Sequence, residues 1–317
     1  MDLYAREPDV DFAEVSGFDR GVGGSPGLIA IGAAALGARA GVVSRVSDDV
    51  VGGYVLGHLR KRGIDVSGIA LDASGTRTSL ALTELRAEGC AVVIYRNAAA
   101  DLALTPADVE RSRVGQTRAL LVSGTALSAE PSRSAALRAV ELASDAGAAI
   151  ALDLDYRAYT WASVAEAGEV LAALAPRADL LIGNREEFAV LGVPASASAR
   201  EVGARCLVGD TSVVLVKAGA EGSEVFAADG DAFAQPPFPV DTVKPFGAGD
   251  AYAAATLAGL LGGGGLRESV RRGAAAAAIV VSSRACAEAM PTAAALDDFL
   301  AARAGAGTDD STDRTRS

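Results

Sequence analysis

Cysteine and histidine are scarce in this chain of 317 residues, and their scarcity excludes several kinds of site. The three cysteines, Cys90, Cys206 and Cys286, are far apart and form no C-x-x-C pair, so neither a disulfide framework nor a zinc site is indicated. We expect three reduced thiols. The only histidine, His58, lies on a helical stretch with no evident partner, which argues against catalysis by histidine.

The chain also lacks an excess of positive charge and long apolar runs. Its formal net charge of −11 argues against a broad surface for nucleic acid or an acidic membrane, so a few local cations would have to bind any anionic substrate. The first residues include Asp2, Arg6 and Glu7 instead of an apolar signal core, and no stretch reaches the ~18 apolar residues of a membrane helix. We therefore predict a cytoplasmic protein that binds neither nucleic acid nor a membrane.

Small apolar residues are abundant, and they fall into alternating β-rich and helical stretches. The chain is 50% hydrophobic but only 5% aromatic. The alternation predicts an α/β fold of βαβ units, in three layers around a mainly parallel central sheet. The candidate core strands are short apolar runs bounded by polar residues or glycine: Ala40–Arg45, Ala119–Ser123, Ala149–Asp153, Leu180–Gly183 and Val213–Lys217.

Polar residues stand at the carboxyl ends of three of these runs. Asp153, Asn184 and Lys217 occupy those positions, and ligands of open α/β sheets gather at that edge. Two segments break the alternation, residues 10–22 and a pair of β-rich runs, Thr78–Leu85 and Ala91–Arg96, whose short polar connection predicts a hairpin. Residues 305–317 are small and polar, which predicts a disordered tail.

The strongest chemical signal is a small-residue turn that ends in an acid and leads into an Ala/Leu-rich helix. Gly247 and Gly249 lack a Cβ, so backbone N–H groups can approach a ligand there, and the helix from about Ala248 to Leu261 directs its positive end to the same place. Asp250 would suit a general base that takes a proton from a hydroxyl attacking a phosphoryl group. The alternative is a tight turn whose acid merely caps the helix.

Several motifs together resemble, in order and spacing, those of the ribokinase-like (PfkB) family of carbohydrate kinases along nearly the whole chain. Besides Gly247-Ala248-Gly249-Asp250, they are Gly23-Gly24-Ser25, Asn184-Arg185-Glu186-Glu187 and the glycine turn Lys217–Gly222. The resemblance implies a ribokinase-like α/β/α sandwich in one kinase domain, residues 1–304. It also implies a small β lid over the substrate, built from residues of about 10–22 and 78–97, with an ordinary edge hairpin as the alternative.

Four further stretches resemble the branch of that family that phosphorylates 5-dehydro-2-deoxygluconate in myo-inositol breakdown. They are Asp2-Leu3-Tyr4, Ile94–Asn97 with Ala100-Asp101, Leu152–Arg157, and Ser283-Arg284 through Met290–Thr292. The implied activity is ATP-dependent phosphorylation of a hydroxyl of a small sugar acid. The alternatives are another kinase of the family, acting on 2-keto-3-deoxygluconate, fructose or similar, and a paralogue that binds nucleotide without turnover.

The resemblance also implies cofactors and roles for individual residues. ATP and Mg²⁺ would be the cofactors, with Asp250 as the base and the N–H groups of Gly247, Ala248 and Gly249 as the anion hole. The nucleotide side would be formed by Lys217, Gly219, Gly222 and Asn184. Glu187 would hold Mg²⁺, mostly through water. As an alternative, Glu186 and Glu187 simply favour the start of a helix over residues 185–191.

On the substrate side, Asp2, Gly23 and Gly24 resemble the contacts that the family makes to sugar hydroxyls. Arg96 and Arg157 are the natural cations for a carboxylate or keto group, because a guanidinium binds such planar acceptors bidentately. Lid strands of this family often pair between subunits, so the resemblance also allows a homodimer through the lid.

Three features depart from the family's pattern. Members carry an apolar strand ahead of the acid, whereas here Asp2 follows Met1 directly, so we expect a central strand to be missing. Leu28 stands where the family has an Asn on the substrate side. Lys244-Pro245 replace an Asp-Thr pair of many relatives, so the sequence gives no support for a monovalent-cation site.

Overall fold

The computed structural model of this chain describes residues 1–306. The strands are β1 (Asp2–Pro8), β2 (Phe18–Gly21), β3 (Ser44–Ser47), β4 (Ile69–Asp72), β5 (Leu80–Leu85), β6 (Val92–Tyr95), β7 (Ala119–Ser123), β8 (Ala149–Asp153), β9 (Leu180–Asn184), β10 (Val213–Lys217), β11 (Ser223–Ala227) and β12 (Ala232–Gln235). The helices are α1 (Ser25–Ala35), α2 (Val50–Lys61), α3 (Pro106–Glu110), α4 (Ser132–Asp145), α5 (Val164–Leu174), α6 (Arg185–Val190), α7 (Ala199–Cys206), α8 (Ala248–Leu261), α9 (Leu266–Val281) and α10 (Ala293–Ala306).

The central sheet has the strand order β12-β11-β10-β9-β8-β7. Strands β7 to β10 run parallel, and β11 and β12 complete one edge as antiparallel strands. The predicted bounds of β7, β8 and β10 agree with the structure, and β9 ends one residue later than predicted, at Asn184. These short apolar runs could be found from the sequence because a parallel sheet covered by helices is buried on both faces.

Alternate residues of the central strands face two different apolar cores. Leu152 and Leu181 belong to a core that includes residues of α4, α5 and α7. Ala151 and Ile182 belong to another core, which includes residues of α1, α8 and α9. Since successive side chains of a strand point to opposite faces, helices cover both sides of the sheet. The predicted three-layer α/β/α sandwich is confirmed.

Helices α8 and α9 pack closely because small residues meet at their interface. A Cβ on Gly273 would lie 2.4 Å from Thr256 Oγ1, and a Cβ on Gly259 would lie 2.7 Å from Ser269 Oγ, so neither glycine has room for a side chain. Backbones that approach this closely bury area without large side chains. The Ala and Gly content thus builds a dense core in a chain with few aromatic residues, and it fixes the position of the start of α8.

A separate four-stranded sheet has the order β2-β1-β5-β6. Strands β5 and β6 form the predicted antiparallel hairpin, and β2 lies within the predicted segment 10–22. Strand β1 was not predicted, although it is a central strand of this sheet, antiparallel to β2 and parallel to β5. We call these four strands the lid sheet.

Strands β3 and β4 form a two-stranded parallel sheet. The predicted strand Ala40–Arg45 is wrong in its bounds, because β3 begins only at Ser44, and Gly41 makes an isolated bridge to Asp65. Among residues 1–306 no strand pairing joins β3 to β7, the last strand of the central sheet.

Three remaining expectations concern Leu28, the cysteines and the tail. Leu28 is 4% exposed and packs in an apolar core, so its side chain contributes to packing. The three cysteines are free thiols, as expected.

Helix α10 extends to Ala306, and the rest of the predicted tail, residues 307–317, lies outside the described part of the chain. Within that part, none of the helices combines the length and the apolar character needed to cross a membrane.

Candidate active site

The carboxyl ends of β8, β9 and β10 bring polar side chains together at one edge of the central sheet. Lys217 is the register partner of Asn184, and Asp153 is the partner of Ile182 two residues earlier on β9. Lys217 Nζ lies 3.2 Å from Asp153 Oδ1 and 3.9 Å from Glu187 Oε2. Burial acts to lower the pKa of Lys217, but the two carboxylates outweigh burial and raise that pKa overall. Lys217 is therefore a fixed cation at this edge.

Asp155 is a third acid at this edge, and the sequence did not identify it as a site residue. Its buried carboxylate accepts a hydrogen bond from Ser123 Oγ at 2.9 Å and pairs with Arg157 at 2.8 Å. Its φ of 32° lies in the left-handed region, which is strained for a residue other than glycine and is common at functional sites. Burial raises the pKa of Asp155, and Arg157 opposes that rise. The repeated acids of Asp153-Leu154-Asp155 were the signal in the sequence.

Arg157 was predicted to bind substrate, but it also lies close to Glu187, the predicted metal residue. Its guanidinium is 3.6 Å from Glu187 Oε1 as well as 2.8 Å from Asp155 Oδ1. The side chain is half-exposed, so it can still meet a ligand from solvent. Arg157 thus connects the acids of this edge, and a substrate anion would share it with them.

The turn Gly247–Gly249, which we call the anion-hole turn, opens helix α8. Gly247 is the residue that precedes the first helical turn, and its φ of 79° is left-handed. A Cβ there would lie 2.9 Å from Cys286 Sγ, so both the conformation and the space require glycine. Within residues 1–306, no protein acceptor takes the N–H groups of Gly247, Ala248 or Gly249. These donors are free for an anion, at the positive end of a helix.

Asp250 does not cap its own helix. No side chain caps the start of α8, and the Asp250 carboxylate instead accepts a hydrogen bond of 2.5 Å from Ser25 Oγ, at the start of α1. Burial raises the pKa of Asp250 to about 7, and the bond from Ser25 opposes the rise. The helix-cap alternative is therefore wrong for Asp250. A carboxylate with such a pKa can exchange a proton near neutral pH, as a general base must.

The predicted substrate residues Asp2, Gly23 and Gly24 adjoin Asp250 through Ser25. The Asp2 carboxylate packs on Gly23 so closely that a Cβ there would lie 1.8 Å from Asp2 Oδ1. Tyr4 Oη donates to Asp2 Oδ2 at 2.8 Å. Gly24 has a φ of 81° and leads into α1, where Ser25 follows. Strand β1 of the lid sheet and the start of α1 therefore converge on the anion-hole turn.

Glu187 does cap its own helix. Asn184 Oδ1 accepts from the Glu187 N–H at 2.9 Å, and Glu187 Oε2 accepts from the Asn184 N–H at 2.8 Å, which together form a capping box at the start of α6. Glu187 therefore favours the start of its helix, as the alternative interpretation predicted. Burial also raises the pKa of Glu187, with Lys217 opposing the rise, and its second oxygen faces Arg157.

The acids at this edge fit a hydrated divalent ion better than a directly bound one. Within residues 1–306 no group of three or more His, Cys, Asp or Glu side chains is arranged to hold a metal. Asp153, Asp155 and Glu187 already accept from cations or N–H groups. Mg²⁺ keeps several waters and binds by one or two carboxylates together with phosphate oxygens. The oxygen donors around Glu187 fit Mg²⁺ in that manner.

The predicted nucleotide turn has the backbone conformation that its glycines allow. Gly219 and Gly222 have φ values of 57° and 91°, on the tight connection between β10 and β11. A Cβ on Gly222 would lie 2.3 Å from the Gln235 carbonyl oxygen. The turn begins directly after Lys217, so it shares the edge with the acids.

Arg96, predicted to bind substrate, is paired within the protein. Its Nε donates to Asp101 Oδ2 at 2.7 Å, and its Nη1 donates to the Thr125 carbonyl oxygen at 3.0 Å. The side chain follows β6 of the lid sheet and reaches the loop after β7, where Ser123 binds Asp155. Arg96 thus joins the lid sheet to the central sheet.

Comparison with known proteins identifies the family of the chain. Residues 1–293 match the pfkB family of carbohydrate kinases. A "5-dehydro-2-deoxygluconokinase" of Photobacterium profundum is 44% identical over 96% of this chain and 92% of that protein. A protein of the same name from Bacillus licheniformis is 38% identical over 96% of this chain and 94% of its own length.

Solved structures show the same fold. A PfkB protein from Polaromonas sp. JS666 has a TM-score of 0.81 and 28% identity, over 94% of this chain and 96% of that one. A putative ribokinase II from E. coli, solved with ATP and Mg²⁺, has a TM-score of 0.83 over 95% of this chain and 96% of its own, and at 20% identity it shows the fold alone. The chain belongs to the pfkB family of carbohydrate kinases.

Proposed function

We propose that this carbohydrate kinase transfers the γ-phosphoryl group of ATP to a hydroxyl of 5-dehydro-2-deoxygluconate. Relatives that carry the name of that activity cover most of the chain at 37% to 44% identity. The observation that carries the chemistry is the Asp250 carboxylate, which is bound to Ser25 instead of its own helix and stands beside unpaired backbone N–H groups.

In the proposed reaction, Asp250 takes the proton of the attacking hydroxyl as its oxygen bonds to the γ-phosphorus and the bond to the ADP oxygen breaks. The N–H groups of Gly247, Ala248 and Gly249 stabilise the negative charge on the moving phosphoryl group. Their arrangement needs little reorganisation, because these N–H groups have no protein acceptor to leave before they bind the phosphoryl group. Positioning and charge neutralisation supply most of the rate.

The nucleotide would lie along the edge formed by β9 and β10. Lys217 supplies positive charge for phosphate oxygens, and Gly219 and Gly222 let the chain approach the nucleotide closely. Asn184 positions Glu187, which would hold Mg²⁺ through water. That ion would neutralise phosphate charge when bound.

The sugar acid would lie between the lid sheet and the start of α1. Asp2 would accept from substrate hydroxyls, against the close backbone of Gly23 and Gly24. Arg96 and Arg157 would attract the carboxylate, each while paired with an acid of the protein. A negatively charged substrate would share each guanidinium with the acid that is already paired with it.

A homodimer through the lid sheet is part of the proposal. Val93 and Tyr95 on β6 leave 47% and 59% of their surfaces exposed, on the same face of an edge strand. Light scattering would measure the mass in solution. We expect a dimer that Tyr95→Asp converts to monomer, whereas a monomeric wild-type protein would contradict this part.

The test is ADP release from Mg·ATP with a panel of sugar acids and sugars that includes 5-dehydro-2-deoxygluconate, 2-keto-3-deoxygluconate and fructose. Turnover confined to the first, with phosphorylated product found by mass spectrometry, is the expected result. Preference for another compound would move the activity to another substrate of the family. ATP binding without turnover on any of them would favour the non-catalytic paralogue.

A further inference from the structure

Lys244 is a lysine with no exposed surface and no carboxylate in direct contact, although its charge reaches the Asp2 carboxylate and acts to lower the pKa of that group. Its side chain is 0% exposed, and among residues 1–306 no Asp or Glu lies within ion-pair distance of it. A buried ammonium without a counter-ion is costly unless every N–H group finds an acceptor. Neither the packing of the fold nor the roles proposed for Asp250 and the anion-hole turn explain why a lysine is buried here.

Three acceptors surround the Lys244 ammonium, and an ammonium has three N–H donors. Nζ lies 2.8 Å from the Phe246 carbonyl oxygen, 3.4 Å from the Val280 carbonyl oxygen and 3.2 Å from Cys286 Sγ. A neutral amine would offer only two donors. The Val280 carbonyl also belongs to the last turn of α9, whose carbonyls form the negative end of the helix. The surroundings therefore match the charged form.

The Phe246 carbonyl connects this ammonium to the anion-hole turn. The same peptide group contains the Phe246 oxygen and the Gly247 N–H, and in a trans peptide these two groups point in opposite directions. An ammonium on the oxygen therefore holds the N–H towards the other side, where no protein acceptor takes it. It also polarises that N–H, because hydrogen bonds in a chain strengthen one another.

The contacts of Lys244 continue to the substrate side. Cys286 Sγ packs against Gly247, where an added Cβ would lie 2.9 Å from it. The Tyr4 hydroxyl, which donates to Asp2 at 2.8 Å, is near enough to act on the pKa of the Cys286 thiol. Val243 and Lys244 donate their own N–H groups to the Val281 carbonyl, so the segment before the turn is fixed to the end of α9. One buried cation thus contacts the turn, α9 and, through Cys286, strand β1.

We propose that Lys244 acts as a built-in monovalent cation that fixes and polarises the Phe246–Gly247 peptide, so that the anion-hole turn works without a free monovalent ion. Lys244 is a positioning residue, because it acts on the phosphoryl group through the Gly247 N–H. The proposal rests on the proposed kinase activity. Its effect should fall on kcat more than on KM, since the turn stabilises charge that develops in the transition state.

The test compares Lys244→Ala with Lys244→Met in buffers whose only monovalent cation is tetramethylammonium, sodium, potassium or ammonium. Alanine leaves a cavity with carbonyl oxygens in its wall, whereas methionine fills the space without charge. Lys61→Ala, at an exposed lysine of α2, is the matched control. Circular dichroism melting curves establish that each variant is folded. Calorimetry with Mg·ADP and aluminium fluoride, which imitates the moving phosphoryl group, measures binding at the turn without any sugar substrate.

We expect the wild-type kcat to be equal in all four buffers within about two-fold. Lys244→Ala should lose about 100-fold in kcat with tetramethylammonium, the size of one anion-hole donor. It should recover at least about ten-fold with ammonium or potassium, whose ions fit carbonyl oxygens, whereas the Lys244→Met variant should not recover. The Lys61→Ala control should match the wild-type protein.

Activation of the wild-type protein by potassium would overturn the proposal, and this measurement needs no variant. Folded variants that keep the wild-type kcat, or a folded Lys244→Ala that no cation restores, would overturn it too. If the sugar acid is not a substrate, the calorimetry still decides, because aluminium fluoride with Mg·ADP occupies the place of the moving phosphoryl group. The affinity of Lys244→Ala for this complex should rise with potassium and that of Lys244→Met should not.

Discussion

In several helices of this protein an acid stands three residues after the residue that precedes the helix, and the two at the candidate active site are α6 and α8. At the start of α6 that acid is Glu187, which follows Asn184, and at the start of α8 it is Asp250, which follows Gly247. Glu187 and Asn184 exchange hydrogen bonds in a capping box. Asp250 makes no such bond and pairs with Ser25 from a distant part of the chain.

The residue before the helix decides between the two outcomes. Asn184 has an extended backbone and a side chain that accepts the N–H of Glu187, so the box closes. Gly247 has no side chain, and its left-handed backbone leaves the first N–H groups without protein acceptors. A helix start that satisfies itself positions an acid, whereas one that remains unsatisfied can bind an anion.

The largest expected effect comes from Asp250→Asn. The amide keeps the size of the side chain and can still accept from Ser25, but it cannot take a proton. We expect kcat to fall about 1,000-fold, within the range of general-base catalysis, while ATP binding stays near the wild-type value. Rapid-quench assays and calorimetry would measure the two quantities. A variant with more than a tenth of the wild-type rate would show that another group accepts the proton.

Glu187→Gln and Glu187→Ala separate capping from metal binding. Glutamine can keep the capping box but has no charge, so we expect a normal Tm together with a fall in kcat of about 10- to 100-fold and a higher Mg²⁺ requirement. Alanine should add a loss of about 1 kcal/mol in unfolding free energy. Thermal melts and Mg²⁺ titrations measure both. If Glu187→Gln kept full activity at low Mg²⁺, the acid would be a cap and nothing more.

Ser25→Ala should have a smaller effect on the same carboxylate. Removing a hydrogen bond that favours the charged form raises the pKa of Asp250 further, so the midpoint of the pH dependence of kcat/KM should move to higher pH. Ser25→Thr, which keeps a hydroxyl, is the control and should retain the wild-type midpoint. An unchanged midpoint in Ser25→Ala would mean that this bond is absent in solution.

The fourth expected effect is on stability and not on rate. Because the folded pKa of Asp250 is about 7 and its ordinary value is 3.8, the folded state holds this proton longer than the unfolded state. The carboxyl therefore costs stability as pH rises from about 4 to about 7, and the cost is constant above that. Asp250→Asn should melt at a higher temperature than wild type, by a margin that grows up to pH 7. A margin independent of pH would contradict the raised pKa.

The sequence predicted those features that depend on local pattern. Strands β7, β8 and β10 were found because each is an apolar run between polar residues, and the anion-hole turn because two glycines precede a helix. The bond from Ser25 to Asp250 joins positions 225 residues apart, and no local pattern indicates it. Strand β1 was missed because the charged residues Asp2, Arg6 and Glu7 mask a strand that packs within the lid sheet.

Side-chain partners were also beyond the sequence. Arg96 and Arg157 were predicted to bind a carboxylate or keto group of the substrate, and the sequence did not show that each is paired with an acid of the protein. Asp155 became a site residue only through its contacts with Ser123 and Arg157. The sequence predicts which charged residues lie at the edge of the sheet. It does not predict which of them form ion pairs, because that depends on distances of a few ångströms.

The most direct test is the pH dependence of phosphoryl transfer from Mg·ATP to 5-dehydro-2-deoxygluconate by the wild-type protein, with Asp250→Asn alongside. We predict that kcat/KM of the wild-type protein rises with a single deprotonation near pH 7 and then stays level, because the base acts in its charged form. Asp250→Asn should form almost no product at any pH. Equal product from both proteins, or a wild-type rate that falls as pH rises through 7, would contradict the assignment of Asp250 as the base.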